Sequence, residues 1–548
     1  MLTVSKRGLG ALVIGGALLV SATLMLTAAV EDSQTADEAT YLVSGLSYWR
    51  TGDFRLNVEH PPVLKLWLSL PLRLGGVPFV PTESAWAGAS QWDIALTTLY
   101  GSSVPGHELL VSARLMNVML TIALVAVAAL LAYKTWGGRA AVVAAVLTAF
   151  EPNVLANGHL ATTDVGYTLG LLASLLTFGW FLERRTTRRL LLAASAFAVA
   201  LLTRFNALIL VGLLPTVYVV ARQTAGQGVH LPGREMLRII GTFAGVSLMT
   251  VWAFYGFEVR TLTGVQDQTA RQVLSSFGPL GQWIQSVSLP AASYLSGLLW
   301  QVGHNAVGQP AYLFGQTSQT GWWYYFPAAM VIKMTLASLL LAAAAIWFTR
   351  GRSAEDGGRV FSTRYILISL VVILVAALPS KLNLGVRYVL PAMTLLLVLA
   401  SGAAAAWTPM RKVLVGALVL WHVVSVVHFA PTFLPYANEA FGGPTQLHRY
   451  LIDSNLDWGQ DLIRVRRYLE ANHITAYRFR SFTTAPARAY GLLEHDVPTD
   501  ETVANEPFHG VIVVGQSFLY YPGQQLEWLK RLRPTAVIGQ ATNVYDLR

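Results

Sequence analysis

The chain has 548 residues, of which 54% are hydrophobic and only 12% charged, and it contains no cysteine. A soluble domain carries about a quarter charged residues, so an ordinary soluble enzyme is excluded, as are disulfides and thiolate metal sites. The net charge of +10 would suit nucleic acid, but the basic residues sit in short loops between apolar runs, which is an orientation signal in a polytopic membrane protein.

The first apolar run, 10–30, is long for a signal peptide and ends at "TAAV", a poor cleavage site. It reads as a membrane anchor with Lys6 and Arg7 on the cytoplasmic side. Residues 34–74 follow as "QTADEATYLVSGLSYWRTGDFRLNVEHPPVLKLWLSLPLRL". Asp37 and Glu38 stand at the mouth of the first span. Glu59, His60 and Lys65 flank Pro61-Pro62, which ends one local structure and sets the entry to a helix. Carboxylates can stay ionised at the interface, whereas at the bilayer centre each costs about 2.5–3.5 kcal/mol. On the residues alone the acid pair is either a helix cap or a working site at the lipid boundary.

Further apolar runs at 109–133, 139–156, 165–182, 189–203, 206–221, 237–256, 324–349, 363–379, 387–407 and 411–430 bring the expected spans to about eleven. Alternate loops, "YKTWGGRA", "ERRTTRR", "RQTAGQGVHLPGREMLR", "FTRGRSAEDGGRVFSTR" and "TPMRK", are rich in Arg and Lys. Residues 31–108, 257–322 and everything past 430 are therefore expected outside, and the N-terminus inside. The 189–221 hairpin is the least secure pair, with the short tip "TRFN". "EPNVLANGHLATTDVGYTLG" (151–170) puts Asp164 at the outer mouth of the fourth span, after Asn157 and His159. "LPSKLNLGVRYVLPAM" (378–393) puts Lys381 and Arg387 at the outer mouth of the tenth. Acid, acid and base at three outer mouths could hold a phosphate beside a general base, although each patch alone suits interface anchoring.

The composition becomes that of a soluble domain after about residue 435. A helix in "DWGQDLIRVRRYLEANH" and strands in "TAYRFRSF", "GVIVVGQSFLYY" and "TAVIGQATNVYDL" suggest an external α/β domain at 436–548, after a transmembrane domain at 1–435. "DSNLDWGQD" (453–461) alternates acids as a calcium loop does, but its glycine is seventh rather than sixth and no Glu closes it. Helix capping and domain docking is the reading preferred there. "GWWYYF" (321–326) reads as an interfacial aromatic belt rather than a sugar platform.

In chain order, "DEATY", "NVEHPPVLKLW", "NGHLATTDVGYTLG", "LLTRFNALIL", "GQPAYLFGQTSQTGWWYYFPAAMVIKM", "LNLGVRYVLP" and "YANEAFGGPTQLHRYLIDSNLDWGQDL" resemble one enzyme superfamily. It is that of the protein O-mannosyltransferases and aminoarabinose transferases, membrane glycosyltransferases of the GT-C fold. The likeness has gaps at 75–150 and 210–305 and touches only the start of the terminal domain. It implies an α-helical polytopic GT-C-like bundle with a small external α/β domain. It further implies inverting transfer of a monosaccharide from a polyprenyl-phosphate donor to an acceptor at the outer face. By the resemblance, Asp37 is the general base and Glu38 supports its orientation. His60 lies on the donor-phosphate side with Arg387, and Lys65 is a further candidate there. Asp164 matches an acid of the second external loop and, with Glu59 and His159, is assigned to the substrate cleft. The aminoarabinose branch has Lys where His60 stands, which favours the mannosyltransferase branch. That branch needs no metal, while two carboxylates and a His leave a divalent ion open. The sugar and the acceptor (protein, glycolipid or polysaccharide) are not readable. A lipid or sugar transporter or flippase is the main rival, and would need charges near mid-membrane. A noncatalytic scaffold is the other, and would not need Asp37. No internal repeat supports the transporter.

Overall fold

A computed structural model describes residues 6–262, 268–349, 358–405 and 408–548. The middle of the expected basic loop at 348–364 lies outside these residues, as does the stretch 263–267 of the second external loop. Among the described residues, seven helices are long and apolar enough to cross a membrane: Gly8–Glu31, Gly106–Trp136, Asp164–Glu183, Phe205–Ala225, Gly233–Phe254, Val386–Ala404 and Pro409–Val427. Two bent pairs, Gly138–Ala149 with Pro152–His159 (58°) and Tyr325–Lys333 with Leu336–Phe348 (111°), raise the count to nine. The two remaining expected spans fall on helices of 15 residues each, Thr187–Leu201 and Thr363–Ala377. This is a multi-pass helical membrane protein.

Each bend has an identifiable cause. Pro152 cannot donate to the ladder of the preceding helix, so the chain breaks at Phe150–Glu151 and restarts. At the second, Asn438 Nδ2 reaches in and donates to the end carbonyls of Val331 (2.6 Å) and Met334 (2.9 Å). Thr335 Oγ1 then accepts from Ser338 N at 3.1 Å and starts the next helix.

Burial ranks the spans. Val386–Ala404 is 89% buried and Asp164–Glu183 78%, against 17% for Gly8–Glu31 and for Gly233–Phe254, so the first two form the bundle's centre. Each carries a charged residue at its N-terminal end, Arg387 and Asp164, which lie together at one end of the bundle. Across that end the Glu38–Thr51 helix crosses Pro62–Leu68 closely, because position 45 is glycine: a Cβ there would sit 2.0 Å from the Lys65 carbonyl oxygen.

The C-terminal region holds a four-stranded sheet of β1 (Arg478–Arg480), β2 (Val511–Gly515), β3 (Ala536–Ile538) and β4 (Thr542–Asp546), in the order β1-β2-β4-β3. β1 runs parallel to β2, and the other pairings are antiparallel. The single strand expected over 535–547 is thus a hairpin, and 516–520, expected to continue a strand, is a short helix. The expected helix is present at Leu462–Ala471. Ala437, Leu447, Leu451, Ile452 and Leu456 join the core of the bundle, so the chain between about 437 and 461 is a docking segment and the sheet begins only beyond it. Ser33 N donates to the Gln460 carbonyl (2.9 Å) and Ala36 N to that of Trp458 (3.1 Å), which ties this segment to the loop after the first span.

Candidate active site

Asp37 occupies the N-cap position of the Glu38–Thr51 helix, yet its side chain makes no capping hydrogen bond. Its Oδ2 instead accepts from Arg387 Nη1 at 2.9 Å and from Tyr41 Oη at 3.2 Å. The side chain is 25% exposed, against 7% for that of Arg387. Arg387 also lies 3.8 Å from Asp164 Oδ2, and Asp164 is paired through its other oxygen with Arg204. Two carboxylates and two guanidiniums therefore alternate at one end of the central helices. The Arg387 guanidinium lies over two aromatic faces, its Cζ 4.1 Å from the centre of the Trp458 ring and 5.5 Å from that of Tyr388.

The other predicted residues divide sharply. Glu38 faces away from Asp37 and is fully buried. Its two oxygens accept from Arg114 Nε (2.8 Å) and Nη2 (2.7 Å), Thr35 N and Oγ1 (both 2.9 Å) and Ala161 N (2.7 Å). A carboxylate with five donors has no lone pair to spare for chemistry, and this one fastens the first loop to the second span. Lys65 is likewise spent: Nζ donates to Tyr48 Oη (2.7 Å) and to the carbonyls of Asn57 (2.5 Å) and His60 (2.6 Å), using all three protons. Burial pulls its pKa down to about 7. His159 is buried with Nε2 2.8 Å from Asp32 Oδ2, outside the cavity. Burial favours protonation of Asp32, but Arg464 and then His159 outweigh it and hold the pKa at about 2.

His60 does reach the site, though as a neutral ring. Burial, followed by the fields of Arg204, Lys65 and Arg387, lowers its pKa well below the ordinary value. Its Nε2 lies 3.1 Å from Tyr41 Oη. Since Tyr41 gives its one proton to Asp37, His60 donates to the tyrosine oxygen, and the chain His60–Tyr41–Asp37 points the carboxylate.

Asp37, Glu59, His60 and Arg387 line one cavity of about 310 Å³, open to solvent. Thr40, Tyr41, Asn57, Gln91, Trp92, Leu384 and Tyr388 complete much of its wall. The second external loop closes it with Trp300, Gln301, His304 and Gln309, a contribution that sequence patterns did not reveal. Arg204 was legible in principle, as an arginine ending an apolar run. Trp458 had no such signal. Among the described residues no three His, Asp or Glu side chains group as a metal site, and the 453–461 segment docks on the bundle: Asn455 Oδ1 accepts from Val386 N at 2.9 Å and Ser454 Oγ donates to the Leu384 carbonyl at 2.7 Å.

Residues 16–234 match the sequence pattern of the family described as dolichyl-phosphate-mannose-protein mannosyltransferase, a stretch that includes Asp37, His60 and Asp164. No curated protein sequence is significantly similar to the chain. Among solved structures, ArnT from Cupriavidus metallidurans in the apo state is 13% identical, with 98% of each chain covered and a TM-score of 0.50. The same protein bound to undecaprenyl phosphate gives 13%, 98% of each chain and 0.49. The Archaeoglobus fulgidus oligosaccharyltransferase in the apo form is 13% identical over 96% of this chain and 74% of its own, with a TM-score of 0.44. At 13% identity the likeness to apo ArnT is one of fold, and it runs over nearly the whole chain. The family resemblance drawn from the sequence is borne out over residues 16–234, and the chain has the fold of the GT-C membrane glycosyltransferases.

Proposed function

We propose that this glycosyltransferase moves a monosaccharide from a polyprenyl-phosphate donor to an acceptor hydroxyl or amide, with inversion, at the outer face of the membrane. The observation that carries the reading is the Asp37–Arg387 pair: a partly exposed carboxylate and a guanidinium, 2.9 Å apart, on the wall of one open cavity. The family matched over 16–234 is named for a polyprenyl-type phosphate donor, which agrees with a guanidinium at this place.

The chemistry balances with these groups. Asp37 takes the proton from the acceptor as its heteroatom attacks C1 of the sugar. The C1–O bond to the phosphate breaks on the opposite face, and the electron pair leaves with the lipid phosphate. Arg387 meets the negative charge that grows on the phosphate oxygens, and Arg204 keeps Asp164 from competing for it. Neutral His60 acts through Tyr41 on the direction of Asp37 rather than as a cation on the phosphate. The N-terminus is cytoplasmic and the C-terminal domain external, in accord with the basic loops and with the site and the sheet lying at the same end of the bundle.

The test uses full-length protein in proteoliposomes, given labelled sugars on polyprenyl phosphate and an envelope extract. Label should pass to the acceptor with the opposite configuration at C1. Retention at C1, or no protein-dependent transfer from any donor, overturns the proposal. Reporters fused near residues 90 and 500 should both report the noncytoplasmic side, and opposite sides would break the shared outer site.

A further inference from the structure

The cavity is polarised. At one end Arg387 presents donors, and its Nε has no partner among the described residues. The far wall is a short chain of side chains with the opposite character. Asn57 Nδ2 donates to Gln91 Oε1 at 3.0 Å, and Gln91 Nε2 donates to Glu59 Oε1 at 2.8 Å. Burial raises the Glu59 pKa, while the hydrogen bond from Gln91 and the nearby Lys65 ammonium oppose it; as a carboxylate Glu59 only accepts, so it sets the direction of the whole chain. Gln91 must turn its NH₂ toward Glu59 and its carbonyl toward Asn57, and Asn57 must turn its own NH₂ toward Gln91. Two acceptors are then left over, Asn57 Oδ1 and Glu59 Oε2. Both are buried, and neither has a partner among the described residues. Such atoms are rare in a native structure and call for a donor.

All three residues line the same cavity as Asp37 and Arg387. Their placement is also rigid. Asn57 sits in the left-handed backbone region at φ 50°, which Asn tolerates better than most residues, and its carbonyl is pinned by Lys65 Nζ at 2.5 Å. Lys65 thus serves this wall from behind. Trp92 and Trp300 add flat apolar faces to the same space, the mixture of aromatic surface and few fixed polar atoms that orients a small ligand.

We propose that Asn57, Glu59 and Gln91 form the subsite that reads the transferred sugar, with ring hydroxyls donating to Glu59 Oε2 and Asn57 Oδ1. The inference rests on the lipid-phosphate reading above; because the Lys65 ammonium beside Glu59 already answers its charge, it assigns to that donor a neutral, hydroxyl-bearing sugar. Arg387 holds the phosphate end while this wall selects the ring. A site built to accept from a hydroxyl discriminates strongly against an analogue that lacks it, because the buried acceptor is again left unpaired.

Glu59→Gln is the sharpest variant. The new side chain must keep its oxygen toward Gln91, which puts an NH₂ where Oε2 was and turns an acceptor into a donor at constant size. Binding is measured on the full chain in lipid nanodiscs, with bare polyprenyl phosphate and with polyprenyl-phosphate-linked mannose, glucose, galactose and an amino sugar. Wild type should bind one neutral sugar donor more tightly than the bare lipid phosphate. Glu59→Gln should weaken that donor roughly tenfold or more, as loss of a hydrogen bond to a charged group does, and leave bare polyprenyl phosphate unchanged. The unchanged arm also shows that the variant is folded. A donor lacking the hydroxyl that Glu59 reads should bind wild type and variant alike. Equal weakening of bare and sugar-bearing lipid, unchanged affinity for the sugar donor, or tightest binding of the amino sugar overturns the subsite while the lipid-phosphate reading stands. Failure of wild type to bind polyprenyl phosphate at all overturns both.

Discussion

Two adjacent acids should fail in opposite ways. Asp37→Asn keeps the size of the side chain and an oxygen that can still accept from Arg387 and Tyr41. The carboxylate makes no capping hydrogen bond and its side chain is a quarter exposed, so the stability lost with this ion pair should stay at about 1 kcal/mol or less. Turnover should fall roughly 10²- to 10⁴-fold, the usual contribution of a general base. Glu38→Gln inverts this pattern. It replaces one of two fully engaged oxygens by an NH₂ that meets donors of Arg114, Thr35 or Ala161, and leaves the buried Arg114 charge without its counterion. Removing one partner of such a pair costs about 3–5 kcal/mol, a large share of a typical domain's stability. The assay has two readouts on purified protein in lipid: thermal unfolding, and transfer of labelled sugar from a polyprenyl-phosphate donor normalised to folded protein. Near-normal transfer by Asp37→Asn would refute its role as base. A folded, stable Glu38→Gln protein with a large turnover defect would refute the separation of the two acids.

Arg387→Ala should weaken binding of bare polyprenyl phosphate tenfold or more, while Arg411→Ala, at the start of the last span, should leave it unchanged; equal affinities would count against a phosphate role. Trp458→Leu should leave the C-terminal sheet folded and reduce donor binding several-fold, because the ring that Arg387 lies over is lost, a contact of about 0.5–2 kcal/mol; limited proteolysis and donor titration separate the two effects. Asp457 is fully buried, and burial, then Asp461, pushes its pKa up to about 8 from 3.8. Its proton is therefore held more tightly in the folded state, so its contribution is complete below about pH 4 and is lost as pH rises toward 8. Asp457→Asn should flatten that part of the decline in melting temperature between pH 5 and 8, the raised Asp453 and Asp461 supplying the remainder, and an unchanged pH profile would refute the burial argument.

The parts of this molecule that were legible in its sequence are those set by local rules. Apolar runs gave spans because a bilayer demands length, and the break before Pro152 follows from a missing donor. The bend between Lys333 and Leu336 was not legible, since its cause is the side chain of Asn438, a hundred residues further on. Strand hydrophobicity could not separate a strand from a hairpin at 535–547, because Val537, Ile538, Val544 and Tyr545 suit either.

The site shows the same division, with burial as the deciding variable. Neighbours in a helix point about 100° apart, so "Asp-Glu" at a helix start cannot serve one place; one residue faces the cavity and the other the packed interior. Which acid went where was decided by cations in distant apolar runs. Arg114 lies within the run 109–133 and Arg204 follows the run 189–203, and in those settings each requires a carboxylate. They take Glu38 and Asp164. Arg464 takes Asp32. After these pairings that end of the bundle retains two acids on the open cavity: Asp37, shared with Arg387, and Glu59, whose hydrogen bond comes from a neutral amide. Glu38 and Asp32 have both oxygens filled by protein partners, whereas Asp37 and Glu59 line the cavity, where an acceptor's proton in one case and a sugar's hydroxyl in the other can reach them.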